Sequence, residues 1–243
     1  MISVVCVYNN MEMLDGCLLR GLGRQTVKFE TLLIDNTNGR FGSASSALNS
    51  GGVRATGKYV MFAHQDVVLQ SDTWLSDAEI LLDSLENLGV AGIAGKSKGK
   101  AKISNMTHGD PPILVGNLRA VEPAKVQTLD ECLVIVPREL FGKLTFDESV
   151  CDGWHLYAVD YCLSAARRSL CSFVLPLPAH HGSVGYSMTR DYYRCLRDIF
   201  RKHGRYFPWI YTTVGDYYTA LPAVVYRILD GLKKVVRARI LGK

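Results

Sequence analysis

The sequence lacks several features that define common classes of protein. Seven cysteines form an odd, irregularly spaced set without a CxxC pair, which argues against a zinc ribbon and against a disulfide framework. No apolar run reaches the ~18 residues of a membrane span, and the start MISVVCVYNN has neither the basic stretch nor the cleavage site of a secretory signal. We therefore expect a reduced, cytoplasmic protein.

Signatures of nucleotide and nucleic-acid binding are also scarce. The turn after the first apolar run is YNNMEM and not G-x-G-x-x-G, which disfavours a dinucleotide-binding fold of the Rossmann type. The sequence has no aromatic RNA-binding signature, no internal repeat and no low-complexity segment. If this chain binds phosphates, it must hold them by means other than a glycine-rich loop.

The composition is that of an ordinary globular protein with a basic end. The 243 residues are 48% hydrophobic and 21% charged, with a net charge of +5 and an isoelectric point near 8.8. Lysine and arginine concentrate towards the C-terminus, in RCLRDIFRKHGR and RILDGLKKVVRARILGK. We predict one large domain over residues 1–190 and a basic, aromatic-rich helical extension over residues 191–243.

Apolar runs alternate with helical patterns along most of the chain. Such alternation predicts an α/β fold, with a mainly parallel central sheet flanked by helices on both faces. The small, polar segment GKSKGKAKISNMTHGDPP is predicted to be a mobile loop. The predicted strands are ISVVCVY, TLLIDNT, KYVMFA, VAGIAG, LDECLVIVP and CSFVLPLP.

Polar side chains follow the first three of these strands. Ligands bind beyond the carboxyl ends of the strands in open sheets of this kind, so these positions are candidate binding residues. A carboxylate such as Asp66 beside a polar loop suits a hard divalent cation, because Mg²⁺ and Mn²⁺ accept oxygen ligands and also bind a diphosphate. The strand-end residues are Tyr8, Asn9, Asp35, Asn36, His64, Gln65 and Asp66.

Several linked motifs carry a resemblance to a known family. They are ISVVCVYNN, LLIDNT, ALNSGGVRATGKYVMFAHQDVVL, LDECLVIVPRELF, LTFDE, WHLYAVDYCL and PAHHGS. Their order and spacing resemble the GT-A glycosyltransferases of family two, most nearly a small bacterial branch that has His-Gln-Asp where relatives have Asp-x-Asp. The resemblance spans Ile2 to Ser183 and implies a GT-A catalytic domain over residues 1–190.

The resemblance implies a site for the nucleotide part of a sugar donor. Val7 and Tyr8 resemble the strand end that lies against the base, and Asp35 resembles the acid that hydrogen-bonds the base. Asn49 falls in the helix that approaches the diphosphate. His64 replaces the acid that usually faces the ribose, where a neutral imidazole still donates or accepts a hydrogen bond. The implied nucleotide-binding residues are Val7, Tyr8, Asp35, Asn49, His64 and Gln65.

The resemblance also implies a metal site and a catalytic base. Asp66 matches the last carboxylate of Asp-x-Asp, which holds Mn²⁺ or Mg²⁺, and either His180 or His181 matches the late histidine that completes the site. Asp160 matches the base, which removes the acceptor hydroxyl proton in an inverting transfer. The residues just before it that are candidates for contact with the acceptor or sugar are Trp154 and His155.

These assignments imply a metal-dependent, inverting glycosyltransferase that uses a nucleotide-sugar donor, with UDP-sugars favoured, and a glycan or lipid-linked acceptor. A nucleotidyltransferase is one alternative, although such enzymes usually begin with a Gly-rich, basic loop where this chain has YNNMEM. A non-catalytic nucleotide or nucleic-acid binder is the other. The presence of both Asp66 and Asp160 argues against it, and we expect no nucleic-acid partner.

The C-terminal stretch ALPAVVYRILDGLKKVVRARILGK alternates apolar and basic positions at near-helical spacing. Helices that lie on membrane surfaces have this pattern, and each Lys or Arg near anionic lipid contributes about 1 kcal/mol. A helix packed on the domain, or one that joins two protomers of a homodimer, has the same pattern. We favour the first interpretation, which makes the protein peripheral at the inner face of the membrane.

Overall fold

The strands of the protein form one large sheet and several small ones. The computed structural model describes residues 1–99, 101–183 and 188–240, with the backbone alone from residue 234 onward. The strands are β1 Ile2–Tyr8, β2 Glu30–Asp35, β3 Tyr59–Ala63, β4 Val67–Leu69, β5 Leu88–Gly92, β6 Ala94–Lys96, β7 Ile103–Ser104, β8 Met106–His108, β9 Ile113–Leu114, β10 Ala124–Val126, β11 Thr128–Leu129, β12 Leu133–Pro137, β13 Cys171–Val174, β14 Ala179–His181, β15 Trp209–Tyr211 and β16 Asp216–Tyr218.

The large sheet has seven strands in the order β10-β13-β5-β12-β3-β1-β2. β1 lies between β2 and β3 and runs parallel to both. β12 runs antiparallel between β3 and β5, with Leu133 opposite Ala63. The start of β12 therefore lies at the edge of the sheet where β1 and β3 end. This topology confirms the predicted α/β fold with a mainly parallel central sheet.

Helices cover both faces of the central sheet. Two of them begin at residues whose side chains accept a backbone hydrogen bond, Asn10 from Met13 and Ser43 from Ser46, as helix caps do. The helices are α1 Met11–Leu14, a π-helical turn Asp15–Leu19, α2 Arg20–Leu22, α3 Ala44–Gly52, α4 Trp74–Asp83, α5 Arg138–Phe141, α6 Tyr157–Ala166, α7 Arg190–His203 and α8 Ala223–Ile240.

The hydrophobic core lies on both faces of the sheet. Alternate residues of β1 enter different layers, because successive side chains of a strand point to opposite faces. Val4 packs in one layer with Leu18 and Trp74, and Val5 packs in the other with Tyr161. The second layer includes α6 and the buried face of α7, so the helices near the C-terminus are part of the main core.

Two local predictions differ from the structure. The polar segment predicted to be a mobile loop contains β7 and β8, and its scattered apolar residues Ile103 and Met106 are buried. α4 ends at Asp83, whereas the pattern of SDTWLSDAEILLDSLENLG predicts a helix that ends at Gly89. Gly89 lies instead in β5, where a Cβ atom would come within 3.0 Å of side-chain atoms of Ala165, so the residue serves close packing between strand and helix.

The predicted helical extension contains α7 and α8, but also the hairpin of β15 and β16. The aromatic rings of Trp209 and Tyr211 stack at 6.3 Å on one side of this hairpin, which explains why an aromatic-rich stretch forms strands. Residues 241–243 of the predicted extension lie outside the described residues. The boundary at residue 190 stays a prediction. Within the described chain, no helix has the length and apolar character needed to cross a bilayer.

Candidate active site

A cavity of about 520 Å³ opens at the edge of the sheet where β1 and β3 end and β12 begins. The amide of His64 donates a 2.9 Å hydrogen bond to the carbonyl of Cys132, so the residues after β3 are tied to those before β12. The small sheet in which β14 joins β4 to β8 lies beside this edge. The cavity thus collects polar side chains from segments that are distant in sequence.

Three potential metal ligands meet in this cavity. His64 Nδ1 lies 3.4 Å from His181 Nε2, and that nitrogen lies 3.2 Å from Asp66 Oδ1. The ligand atoms of the three residues all lie within 4.8 Å of one another. The backbone amide of Ser183 donates a 3.0 Å hydrogen bond to Asp66 Oδ2, which orients the carboxylate. The geometry and the ligand types fit a divalent cation.

The strand β14 determines which late histidine belongs to the site. Neighbouring residues of a strand point to opposite faces. His181 is buried and faces Asp66, whereas His180 Nδ1 lies 3.0 Å from the hydroxyl of Thr107 on β8. His181 therefore lines the cavity, and the structure places His180 away from it.

The surroundings of these ligands set their protonation. Burial, followed by the neighbouring His181, lowers the pKa of His64 to about 4. Burial would raise the pKa of Asp66, but the hydrogen bond from His181 and the charges of His181 and His64 hold that pKa well below its usual range. At neutral pH His64 is therefore a neutral imidazole and Asp66 a carboxylate, which are the forms that bind a metal. Burial would lower the pKa of His181, but its hydrogen bond to Asp66 raises that pKa, so a metal bound there would displace a proton.

The predicted nucleotide-binding residues divide between the cavity and its rim. Val7, Tyr8 and Gln65 line the cavity. Gln65 Oε1 accepts hydrogen bonds from the amides of Asn9 and Asn10, both at 3.0 Å, and so holds the turn that follows β1. The end of β1 is thereby fixed against the cavity, as a surface for a planar base requires.

Asp35 lies at the rim, paired with Tyr8 in the register of β1 and β2. Its carboxylate accepts hydrogen bonds from the amide and the hydroxyl of Thr37, at 2.8 Å and 2.7 Å. These bonds, with a weaker one from Tyr8, lower the pKa of Asp35. The ionised carboxylate of Asp35 therefore lies beside Tyr8, which lines the cavity.

Asn49 does not line the cavity, and its predicted part in binding the diphosphate stays a prediction. Its Nδ2 donates to the carbonyl of Phe146 and to Glu148 Oε1, both at 2.9 Å, and its Oδ1 accepts from the amide of Phe146 at 3.1 Å. The side chain is buried and uses both ends of its amide. Asn49 therefore ties α3 to the loop after α5.

Asp160 also lies away from the cavity. It is 2% exposed, and its carboxylate accepts hydrogen bonds from Lys202 Nζ at 2.7 Å and His203 Nε2 at 2.9 Å. Lys202 Nζ donates a further hydrogen bond to Asp147 at 2.9 Å. Both carboxylate oxygens of Asp160 thus accept hydrogen bonds from side chains of α7. This placement argues against the predicted role of Asp160 as the base, because Asp160 lies in the first turn of α6 on the side that faces the core.

Glu131 is the carboxylate that the cavity offers in place of Asp160. It precedes β12 and lines the cavity, as does Asp130. Its Oε2 accepts a 2.6 Å hydrogen bond from the amide of Leu156, and its Oε1 lies 3.7 Å from His155 Nδ1. Burial raises the pKa of Glu131, although the neighbouring His155 opposes the effect. A carboxylate with a raised pKa is typical of a general base or acid.

The loop before α6 presents Trp154 and His155, the predicted acceptor or sugar contacts, to the cavity. The side chain of Trp154 remains exposed. Leu156 follows with a φ of 64°, in the left-handed region that a side chain of this kind rarely adopts. The hydrogen bond to Glu131 holds that conformation, and such strain is commonly found at functional sites.

Sequence reasoning missed several residues of the cavity. Glu131 stands in the quoted motif LDECLVIVP, where an acidic pair before an apolar strand is the signal that could have identified it. Its position at the site depends on β12 being antiparallel, which the pattern of the strand does not reveal. No sequence pattern marked the lining residues beyond residue 190, because only the tertiary packing of the chain brings them to the cavity. The missed lining residues include Asp130, Glu131, Tyr157, Ser183, Tyr192, Thr212, Thr213 and Val214.

Known proteins resemble this chain in sequence and in structure. A protein of Fuscovulum blasticum, "ATP synthase subunits region ORF 6", is 26% identical over 188 residues, which is 74% of each chain. Residues 1–349 of TarS from S. aureus match with a TM-score of 0.57 at 16% identity, covering 83% of this chain and 64% of that one.

Two further solved structures share the fold. The mannosyltransferase PcManGT from Pyrobaculum calidifontis, in complex with GDP-Man and Mn²⁺, matches with a TM-score of 0.58 at 14% identity over 84% of this chain and 64% of that one. GalNAc-T7 with UDP, GalNAc and Mn²⁺ matches with a TM-score of 0.61 at 12% identity, covering 86% of this chain and 52% of that one. The chain spans less than two thirds of each of these three structures.

The family comparison covers the same region as the motifs of the sequence. A family model described as "Glycosyltransferase like family" matches residues 3–184, which include the strand ends, the three potential metal ligands and Glu131. The resemblance stated from the sequence spans Ile2 to Ser183 and is confirmed. The chain belongs to this family of glycosyltransferases and has the GT-A fold.

Proposed function

We propose that the protein is a metal-assisted, inverting glycosyltransferase with a nucleotide-sugar donor. The observation that carries this proposal is the meeting of His64, Asp66 and His181 with Glu131 in one cavity. A cation site and a carboxylate with a raised pKa are what such a transfer needs. The cation site would act on the donor's diphosphate, and Glu131 would act on the acceptor's hydroxyl.

The donor is proposed to bind with its base against the end of β1. Val7 and Tyr8 form that wall, and Asp35 at the rim offers an ionised acceptor to a ring nitrogen of uracil. Related folds bind such ligands: TarS is known with UDP and with UDP-GlcNAc, and PcManGT with GDP-Man and Mn²⁺. A UDP-sugar is our first choice.

The proposed chemistry assigns the proton to Glu131. Its Oε1 takes the proton of an acceptor hydroxyl, the hydroxyl oxygen forms a bond to the anomeric carbon, and the bond from that carbon to the diphosphate breaks. Attack from the face opposite the diphosphate inverts the anomeric centre. A divalent ion held by Asp66 and His181 would neutralise the charge of the departing diphosphate.

The acceptor is proposed to be a glycan or a lipid-linked glycan that enters past Trp154. This indole is exposed at the wall of the cavity, and aromatic faces of this kind pack against sugar rings. Trp154 is followed in the chain by His155 and Leu156, and Glu131 contacts both of these residues. An acceptor stacked on Trp154 would therefore bring a hydroxyl towards the proposed base.

We also propose that α8 rests on anionic lipid. Leu221, Val224, Ile228 and Leu232 are exposed and are spaced three or four residues apart, so they form one apolar face. Basic residues of α7 line the adjoining groove between α7 and α8, and Arg227 of α8 joins them. An apolar stripe flanked by arginines matches a lipid surface with negative headgroups. The cytoplasmic location and the homodimer stay predictions.

The experiment that tests the function measures release of nucleoside diphosphate by the purified full chain. The donors are UDP-glucose, UDP-galactose, UDP-GlcNAc, UDP-GalNAc and GDP-mannose, each with MnCl₂ or with EDTA. We expect release from at least one donor with Mn²⁺, its loss with EDTA, and its loss in Asp66→Ala. For the active donor, NMR of the product should show an inverted anomeric centre.

The matched control is His180→Ala, since His180 neighbours the site but faces Thr107. This variant should release nucleotide at the wild-type rate. The proposal fails if no donor is consumed by wild type under either condition. Equal release with EDTA and with Mn²⁺ would remove the metal from the proposal, and a retained anomeric configuration would remove the single inverting step.

A further inference from the structure

The three potential metal ligands are rich in nitrogen. His64 and His181 contribute imidazoles and Asp66 contributes the one carboxylate. Mg²⁺ and Ca²⁺ prefer oxygen ligands, whereas imidazole nitrogen suits the transition-metal ions from Mn²⁺ to Zn²⁺. The chemistry of this site therefore differs from that of a cluster of carboxylates, and the difference lies at His64.

Two distances between the ligand atoms fit direct coordination of one ion. With metal–ligand distances of about 2.1 Å, adjacent ligands of one ion lie roughly 3.0 to 3.4 Å apart in octahedral or tetrahedral geometry. The distance from His64 Nδ1 to His181 Nε2 is 3.4 Å, and that from His181 Nε2 to Asp66 Oδ1 is 3.2 Å. His64 thus stands in the position of a third ligand.

The hydroxyl of Tyr157 orients His64 for that position. Tyr157 is 3% exposed, and its hydroxyl donates a 2.8 Å hydrogen bond to the carbonyl of Glu131. With its proton so engaged, the oxygen accepts the hydrogen bond of 3.2 Å from His64 Nε2. His64 then carries its proton on Nε2 and presents the lone pair of Nδ1 to His181 and Asp66. Partners of this kind fix the tautomer of a metal-binding histidine.

We infer that His64 is a direct ligand of the metal and that it makes the site selective for transition-metal ions over Mg²⁺. Tyr157 is a positioning residue in this arrangement, because it acts through His64. The inference rests on the metal site of the proposed function and goes beyond it, since it names the class of ion and the residue that selects it. A histidine that only faces the donor's ribose would leave selectivity to Asp66 and His181.

The test titrates the full chain, without nucleotide or sugar, with MnCl₂, CoCl₂ and MgCl₂. Calorimetry gives the three affinities, and pulsed electron paramagnetic resonance of bound Mn²⁺ counts the imidazole nitrogens attached to it. Wild type should bind Mn²⁺ and Co²⁺ about tenfold or more tightly than Mg²⁺, with signals from two imidazoles. His64→Asp should bring the Mn²⁺ and Mg²⁺ affinities together and leave the signal of one imidazole.

A second variant keeps the test independent of folding. Tyr157→Phe preserves the buried ring, so its melting temperature should stay near that of wild type. Its Mn²⁺ affinity should fall about 10- to 100-fold, as is typical when a partner of a metal-binding histidine is removed. His180→Ala should bind every ion as wild type does.

The possible outcomes separate this inference from the proposed function. One imidazole on Mn²⁺ in wild type, or an unchanged ratio of Mn²⁺ to Mg²⁺ affinity in His64→Asp, overturns the inference and leaves a metal-assisted transferase intact. Failure of wild type to bind any of the ions, also in the presence of UDP, overturns the inference and the metal assistance together.

Discussion

Two carboxylates near α6 look alike in sequence and differ in their surroundings. Glu131 lies on the cavity side, where its Oε1 is 3.7 Å from His155 Nδ1 and accepts no other side-chain contact from the described residues. Asp160 lies on the core side, where Lys202 and His203 take both of its oxygens. A base needs an oxygen that is free to receive a proton, which Glu131 has and Asp160 lacks. Asp160, which lies in the motif WHLYAVDYCL, is therefore less suited to act as the base than Glu131.

The two carboxylates also differ in what their charge does for the protein. Burial raises the pKa of Glu131, so folding disfavours its ionised form. Asp160 and His203 are buried, and Lys202, at 2.7 Å, compensates the charge of the Asp160 carboxylate. Removing the Asp160 carboxylate would leave Lys202 with Asp147 as its remaining partner and would take the acceptor away from His203 Nε2. Glu131 should thus matter for rate and Asp160 for stability.

The largest expected effect follows from Glu131→Gln. Glutamine keeps the size of the side chain and an oxygen for the amide of Leu156, but it accepts no proton. Transfer should fall by ~10² to 10⁴, and the melting temperature should stay near that of wild type. A transfer assay with the active donor, run beside thermal unfolding, measures both quantities. Near-normal transfer would point to Asp130 as the base.

The next effect, on stability, follows from Asp160→Asn. Loss of hydrogen-bond partners of buried groups costs about 1 to 3 kcal/mol, which lowers the melting temperature of a chain of this size by roughly 2 to 12 °C. Transfer per folded molecule should remain within a few-fold of wild type. Calorimetric unfolding and an assay below the unfolding transition make this comparison. A fully stable variant with no transfer would restore Asp160 as the base.

A smaller effect concerns the pH dependence of transfer. The proposed base acts only when ionised, so the rate should fall about tenfold per pH unit below the raised pKa of Glu131. The charged groups near this carboxylate are His155 and Asp130. For stability the sign is opposite: the folded state holds the proton of Glu131 more tightly, so this contribution is present at low pH and is lost as pH rises through the raised pKa. In Glu131→Gln, the acid limb of the rate profile should disappear.

The smallest expected effect on catalysis comes from α8. Ile228→Glu with Leu232→Glu should abolish co-sedimentation with vesicles of phosphatidylserine and phosphatidylcholine, because the apolar face becomes charged. Transfer to a soluble acceptor should not change. Ile80→Glu on α4 is the matched control, since Ile80 is exposed but stands apart from α8. If wild type fails to bind such vesicles at low salt, the exposed face of α8 covers a protein partner instead.

The fold and part of the site could be predicted from the sequence. The polar residues after apolar strands located the cavity, since Tyr8, Gln65 and Asp66 all lie on its wall. The choice between His180 and His181 needed the phase of β14. The same limit applied to Asp160, because spacing alone does not tell which way the first turn of α6 faces. Glu131 needed the direction of β12, which is a property of the whole sheet.

The measurement that tests the central claim most directly is the calorimetric titration of UDP, with and without Mn²⁺. The metal and the nucleotide are proposed to meet at Asp66, and Asp160 lies outside that site. Mn²⁺ should therefore strengthen UDP binding about tenfold or more in wild type and in Asp160→Asn, and should have no effect in Asp66→Ala. Equal affinity of wild type for UDP with and without Mn²⁺ would contradict the account.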